Sequence, residues 1–314
     1  MGEGRKLRLG YWLPSRKGMI SVSYEQPGAL LDEIKNEFIN QLKTRADLVE
    51  FNDIRKSAII SGHAIYDGTP VENLDAFIWF GEIGKDARRE HNAEILKSIE
   101  RICPVINPVH GYELAMDKYL TSTILSKNGL NVPKFALVTK DNAEDVSNLV
   151  ADWGSLLLKP RLGSYGIGII KIDNPEDLSD YADYMPSGVH FIEQFIPNDP
   201  KDWIGINIIG GKHAYSYSKT SESFKGGWKV QDRASIGGKM VLAEPSELQL
   251  EIAVKVSKLL DMSWVGVDII TSKDGTPHVI DVNAFPGLYP EMFLQSRING
   301  PEMMANAVFE KLGV

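Results

Sequence analysis

Hydrophobic positions alternate with small or polar ones through Val265-Gly266-Val267-Asp268-Ile269-Ile270, and again through Val279-Ile280-Asp281-Val282-Asn283. A period of two marks a strand with one buried face. Between the runs lies Ser272-Lys273-Asp274-Gly275-Thr276-Pro277, whose Asp-Gly pair is a strong turn signal. A hairpin centred on Asp274-Gly275 sets Asp268 opposite Asp281 and Gly266 opposite Asn283. Asp268, Asp281 and Asn283 then share one face. Val267, Ile269, Ile280 and Val282 share the other and pack the core.

Upstream the pattern changes. Strands are predicted over Leu7 to Leu13, Ser57 to Ile60, Ala76 to Trp79 and Pro104 to Asn107, with helices over Gln26 to Thr44 and Arg88 to Arg101. Alternation of this kind predicts a doubly wound α/β layer. Glu113 to Asn128 reads as one helix, stopped by Gly129 and the following Asn131-Val132-Pro133. Apolar strands follow over Ser155 to Lys159, Gly168 to Ile172 and Val189 to Ile196. A hinge follows at Pro197-Asn198-Asp199-Pro200. Ile204 to Ile209 and Ala214 to Ser218 form a hairpin around Gly210-Gly211. Ser246-Glu247-Leu248-Gln249 is a capping box that opens a helix to about Leu260, and Pro301 to Leu312 is a last helix. The predicted division is 1–108, an N-terminal α/β domain; 109–196, a central subdomain with a glycine-rich lid; and 197–314, a C-terminal subdomain with the hairpin.

Composition narrows the chemistry. A net charge of −8 argues against general nucleic-acid binding. No segment is apolar for long enough to span a membrane, and the first residues lack a signal-peptide apolar region. A single cysteine, Cys103, excludes an intramolecular disulfide framework and fits a reducing cytoplasm. The six histidines show no zinc-ligand spacing. Within this acidic chain, residues 212–239 are basic, with Lys212, Lys219, Lys225, Lys229, Arg233 and Lys239 against Glu222 and Asp232. A solvated loop or a cleft for an anionic partner both satisfy that pattern.

Two facing carboxylates repel, and a shared proton or a bound cation relieves them. Two carboxylates and an amide oxygen are a hard, all-oxygen set that suits Mg²⁺ held jointly with phosphates. The bland alternative is a solvated hairpin face. Leu156-Leu157-Leu158-Lys159-Pro160-Arg161-Leu162-Gly163-Ser164-Tyr165-Gly166-Ile167-Gly168 carries an apolar strand into a glycine-rich loop, where backbone N–H groups can approach phosphate oxygens. A hairpin without a ligand also fits it. Lys159, at the end of the strand, must be paired or used. Lys118 alone reads as a solvated helix lysine. Glu193-Gln194-Phe195-Ile196 could frame a nucleobase or be an amphipathic strand.

In order, Asp117-Lys118, Lys159 with the glycine-rich loop, Glu193-x-Phe195-Ile196, Gly266-x-Asp268 and Asp281-x-Asn283 with Pro286-Gly287 resemble the ATP-grasp superfamily over about residues 105–290. The resemblance implies a mixed α/β and α+β protein, with an N-terminal doubly wound domain and two α+β subdomains that sandwich ATP. It implies Lys118 and Lys159 on the phosphates. Gly163, Ser164, Gly166 and Gly168 belong to the lid. Glu193, Gln194, Phe195 and Ile196 form the adenine hinge, Asp202 lies on the ribose, and Asp268, Asp281 and Asn283 hold Mg²⁺ or Mn²⁺. The superfamily mostly activates a carboxylate as an acyl phosphate for attack by an amine.

Val105-Ile106-Asn107-Pro108, Asp117-Lys118-Tyr119-Leu120-Thr121 and Lys159-Pro160-x-x-Gly163-Ser164-x-Gly166-x-Gly168-Ile169 look like the RimK-type glutamate ligases. Leu9-Gly10-Tyr11-Trp12-Leu13, and Asp281 where ligases more often have Glu, look like the inositol trisphosphate kinases. The loop lacks that branch's histidines. Asp202-Trp203-Ile204 lacks the ligases' Arg, and Gln231-Asp232-Arg233 stands before Gly237-Gly238 where they carry Asn. Arg233 is the candidate for steadying transferred charge, because its planar fork suits phosphate or carboxylate. The expectation is an ATP-dependent carboxylate–amine ligase acting on small-molecule or peptide substrates in the cytoplasm, with a homo-oligomer left open. The alternatives are an inositol-phosphate kinase and a nucleotide-binding module without turnover.

Overall fold

The computed structural model describes residues 5–16, 30–81, 83, 87–162, 168–184, 188–220, 224–225, 229–230 and 239–314. Three sheets carry the fold. In the first, Leu7–Trp12 lies between Ala46–Glu50 and Ala76–Trp79, with Val105–Ile106 outermost, and all neighbours run parallel. Every residue of Ala76–Trp79 is buried, as expected of a parallel strand covered on both faces. This is the doubly wound layer, with two differences. Ala58–Ile60 is not in it: all three residues are exposed, and the strand pairs antiparallel with His63–Tyr66 in a small separate meander. The first helix begins at Asp32, because Leu30–Leu31 is a short strand beside Ser15–Arg16. Residues 26–29 lie outside the described residues.

The helix predicted over Glu113 to Asn128 is two helices, Val109–Met116 and Lys118–Lys127. Asp117 is extended between them (φ −105°, ψ 104°) and accepts from the N–H groups of Tyr119 and Leu120. Asp is stronger as a cap than inside a helix, and here the cap wins over the apolar periodicity.

The second sheet is antiparallel, in the order Phe135–Val138, His190–Gln194, Leu156–Pro160, Ile170–Ile172. The glycine-rich run therefore joins two antiparallel neighbours. The third sheet is also antiparallel, in the order Lys239–Leu242, Lys212–Thr220, Ile204–Ile209, Trp264–Thr271, Pro277–Asn283. The Ser246 capping box forms in both directions and opens the helix Glu247–Leu259.

The hairpin has the expected pairs at its functional end, Asp268 with Asp281 and Gly266 with Asn283. Nearer the turn the register differs by one, and Ile269 pairs with Val279. A bulge at Ile280 reconciles the two. It also changes which residue faces the core. Val279 is 4% exposed, whereas Ile280, expected inside, is only partly buried. The bulge turns Ile280 out of the period-two series.

The first and third sheets share two large apolar clusters, one running from Trp12 and Trp79 to Val265 and Val282, the other from Leu9 and Phe38 to Trp264 and Phe309. Asn107, fully buried, sews these sheets together. Its amide donates to the carbonyls of Trp264 (2.8 Å) and Ala284 (3.2 Å) and accepts from the N–H groups of Ser263 and Trp264. The second sheet has a smaller cluster of its own around Val138, Leu156, Leu158 and Ile192. The two helices between 109 and 127 pack with the large body, since Val109, Tyr112, Leu114 and Leu125 belong to its core.

Candidate functional site

One row of positions crosses the third sheet: Tyr217, Gly205, Asp268, Asp281. A Cβ on Gly205 would lie 2.8 Å from the Tyr217 ring and 3.0 Å from Trp203, so glycine lets the aromatics lie against the sheet. Beside them Asp268 and Asp281 stand opposite one another. Burial pushes the Asp268 carboxyl up to about 7; Lys219 opposes that shift, Asp281 adds to it, and a hydrogen bond from Asn283 opposes it. A carboxyl in that state is a strained base that a cation relieves. Among the described residues no group of three or more His, Cys, Asp or Glu is placed to hold a metal. The donors are two carboxylates and one amide oxygen, which fits Mg²⁺ completed by phosphate and water oxygens rather than by a protein cage.

Two lysines face this row. Lys118 is the first residue of its helix, and its Nζ lies 3.0 Å from Asp281 Oδ1. Lys159 Nζ lies 2.5 Å from Glu193 Oε1, with both side chains 5% exposed, and donates over 3.5 Å to the carbonyl of Ile280, the bulged residue. Glu193 pairs with Leu157, two positions along from Lys159, so the two share a face of the second sheet. Burial holds the Glu193 carboxyl above its usual range, against the pull of Lys159. Lys118, Lys159, Glu193, Asp268, Asp281 and Asn283 thus form one constellation where the two antiparallel sheets meet.

The remaining candidates are placed less centrally. Gln194 donates its side chain to Trp153 O (3.1 Å) and its N–H to Lys134 O (2.8 Å). The Phe195 N–H donates to Ser155 O, and the Lys171 ammonium lies 4.8 Å from the Phe195 ring centre. Ile196 is half-buried, and Asp202 is exposed at the end of the turn Pro200–Asp202. Gly168 has φ +77°, a conformation that favours glycine. Gly163, Ser164, Gly166 and Arg233 lie outside the described residues.

Sequence reasoning missed three contributors. Lys219 was one of several basic residues, yet it lies 4.2 Å over the Trp203 ring and acts on Asp268. The alternation Tyr215, Tyr217, Lys219 within one strand was the available signal. Arg161 grips Asp117, its Nη2 2.7 Å from Asp117 Oδ2. The Ile280 carbonyl enters through a bulge that no sequence pattern announces.

Paired lysines facing an all-oxygen hairpin across the gap between two antiparallel sheets, with a parallel sheet in front, define an ATP-grasp protein. The family comparison gives the branch: residues 115–308, more than half of the chain, match the RimK-like ATP-grasp domain, and the chain belongs to that family. It is similar to the tetrahydromethanopterin:α-L-glutamate ligase of Methanocaldococcus jannaschii, 27% identical over 201 residues, which are 62% of this chain and 66% of the relative. That match spans about two thirds of the relative's own length. It is also similar to the α-aminoadipate–LysW ligase LysX of Saccharolobus solfataricus, 27% identical over 62% of this chain and 72% of that one. Among solved structures, the D-alanine–D-alanine ligase of Bacillus anthracis complexed with ATP superposes over 99% of both chains with a TM-score of 0.63 and 18% identity, a likeness of fold.

Proposed function

We propose that this chain is an ATP-dependent carboxylate–amine ligase that activates a carboxylate as an acyl phosphate and joins it to an amine, one of the two partners being an amino acid of the glutamate type. The single observation that carries this reading is the meeting of Lys118 and Lys159 with Asp268, Asp281 and Asn283 at one point between the sheets. Phosphoryl transfer needs positive charge around the moving phosphoryl group and little covalent chemistry from the protein. The family and relatives named as glutamate and aminoadipate ligases support the ligase class.

On this reading Asp268, Asp281 and Asn283 hold Mg²⁺, which supplies charge neutralisation when bound. Lys118 and Lys159 orient the phosphates. Phe195 and Ile196 border the base, with Asp202 toward the ribose, and Arg233 steadies the transferred charge. Lys219 on Trp203 extends the cationic side of the cleft beyond Asp268, where an acidic substrate is expected. The experiment is a panel of amino acids and amine acceptors, and a second panel of inositol phosphates, each with Mg–ATP and read for ADP and free phosphate. Phosphate release that requires both a carboxylate and an amine is expected. ADP without free phosphate, alongside a phosphorylated polyol, would replace this reading with the kinase. Asp281→Asn removes a ligand and a repulsion together, so Mg²⁺-dependent turnover is expected to vanish while the protein stays folded. Full turnover in that variant would sink the metal assignment.

A further inference from the structure

We propose that Asp117 is a positioning residue: its one carboxylate joins the helix that carries Lys118 to the strand end that opens the glycine-rich run. The proposal rests on the reading that Lys118 meets a nucleotide phosphate. The two oxygens of Asp117 have separate tasks. Oδ1 accepts from the N–H groups of Tyr119 (3.0 Å) and Leu120 (3.2 Å) and so caps the helix Lys118–Lys127. Oδ2 accepts from Arg161 Nε (2.8 Å), and Arg161 Nη2 lies 2.7 Å from the same oxygen in the ion pair. The backbone repeats the link: Lys118 N–H donates to Arg161 O (3.2 Å), and Asp117 and Leu162 form an isolated antiparallel bridge.

Geometry makes the joint consequential. Lys118 is the first helical residue, so the direction of its side chain follows from how the helix start is held. Asp117 is 6% exposed, and a planar guanidinium that brings two of its nitrogens against one carboxylate fixes orientation as well as distance. The Arg161 guanidinium also lies 5.9 Å from the Tyr119 ring centre, on the same first turn. Lys118 and the strand end at residues 161–162 therefore take up one relative placement. Nucleotide phosphates held by Lys118 meet that strand end at a fixed offset.

Asp117→Asn and Arg161→Gln separate this role from helix capping, because Asn still caps while the ion pair is lost. The measurements are titration calorimetry with the Mg complex of a non-hydrolysable ATP analogue, and amide exchange in the free protein. Each variant is expected to bind the analogue about ten-fold more weakly, and the double variant no more weakly than either, since both remove one joint. Melting temperature is expected to hold within about 2 °C. The Lys118 amide is expected to exchange about ten-fold faster in Arg161→Gln. Wild-type affinity in either variant, or a double variant weakened by the product of the two effects, overturns the proposal. If the wild-type chain itself binds no nucleotide, the ATP reading fails. The Lys118 amide in the free protein then decides the joint: faster exchange in Arg161→Gln supports it and unchanged exchange overturns it.

Discussion

The large body and the central sheet are built on different terms. The first and third sheets share two extensive apolar clusters and are sewn by the buried amide of Asn107. The second sheet has a small core of its own. It meets the body through charged and polar links that include Lys159 with the Ile280 carbonyl and Arg161 with Asp117. Apolar packing is non-directional and hard to break in part, whereas ion pairs exchange partners readily. The body is thus suited to hold the hairpin donors still. The central sheet is suited to change partners when phosphate replaces carboxylate.

The largest effect is expected inside the body. Asn107→Ala leaves the carbonyls of Trp264 and Ala284 and the N–H groups of Ser263 and Trp264 buried without their partner. At about 1–3 kcal/mol for each unsatisfied group, a global loss of roughly 5 kcal/mol follows, read as one cooperative drop in chemical denaturation. A loss confined to one sheet would break the contrast.

Next comes Lys159→Met, which strands the buried Glu193 carboxylate. Removing one partner of a buried pair costs about 3 kcal/mol or more. The damage is expected in the second sheet, with faster amide exchange over residues 156–194 and little change over 204–283. Adding Glu193→Gln is expected to recover most of the stability but no nucleotide binding. If the double variant is no more stable than the single, the pair is not the cause.

The hairpin itself offers a pH test in metal-free protein. Asp268 is raised to about 7, chiefly by burial, so the folded state favours its neutral form. Its contribution to stability is present below the ordinary carboxylate range and is lost as pH rises through about 7. Asp268→Asn is expected to flatten that fall. An unchanged slope in denaturation midpoints between pH 5 and pH 8 would remove Asp268 as its source.

The smallest stability effect belongs to Lys118→Met. Its side chain is 12% exposed and that of Asp281 24%, so the pair is only partly shielded from water. A change of about 1 kcal/mol is expected. Loss of nucleotide affinity, measured by the same calorimetry, is expected to be far larger than that. Equal effects on stability and binding would mean that Lys118 is structural.

Much of this was legible in the chain. Alternation and an Asp-Gly turn set Asp268 against Asp281, and the series of motifs pointed to the family. The two errors nearest the site have local causes. A carboxylate that caps outranks an apolar period, so Asp117 divides a helix that periodicity would run through. A bulge preserves the Asp268–Asp281 pair while exchanging Ile280 for Val279 in the core, and period-two patterning cannot register one extra residue.

The sequence by itself determined which residues carry the chemistry, because charge, hardness and turn preference are properties of residue types and near neighbours. Tertiary structure alone decided their partners: Lys118 with Asp281, Lys159 with Glu193, Arg161 with Asp117, and Lys219 beside Asp268. Those pairings join segments far apart in the chain. They depend on the strand order within each sheet and on how the elements are set against one another, and both come from the summed packing of many apolar side chains rather than from any motif.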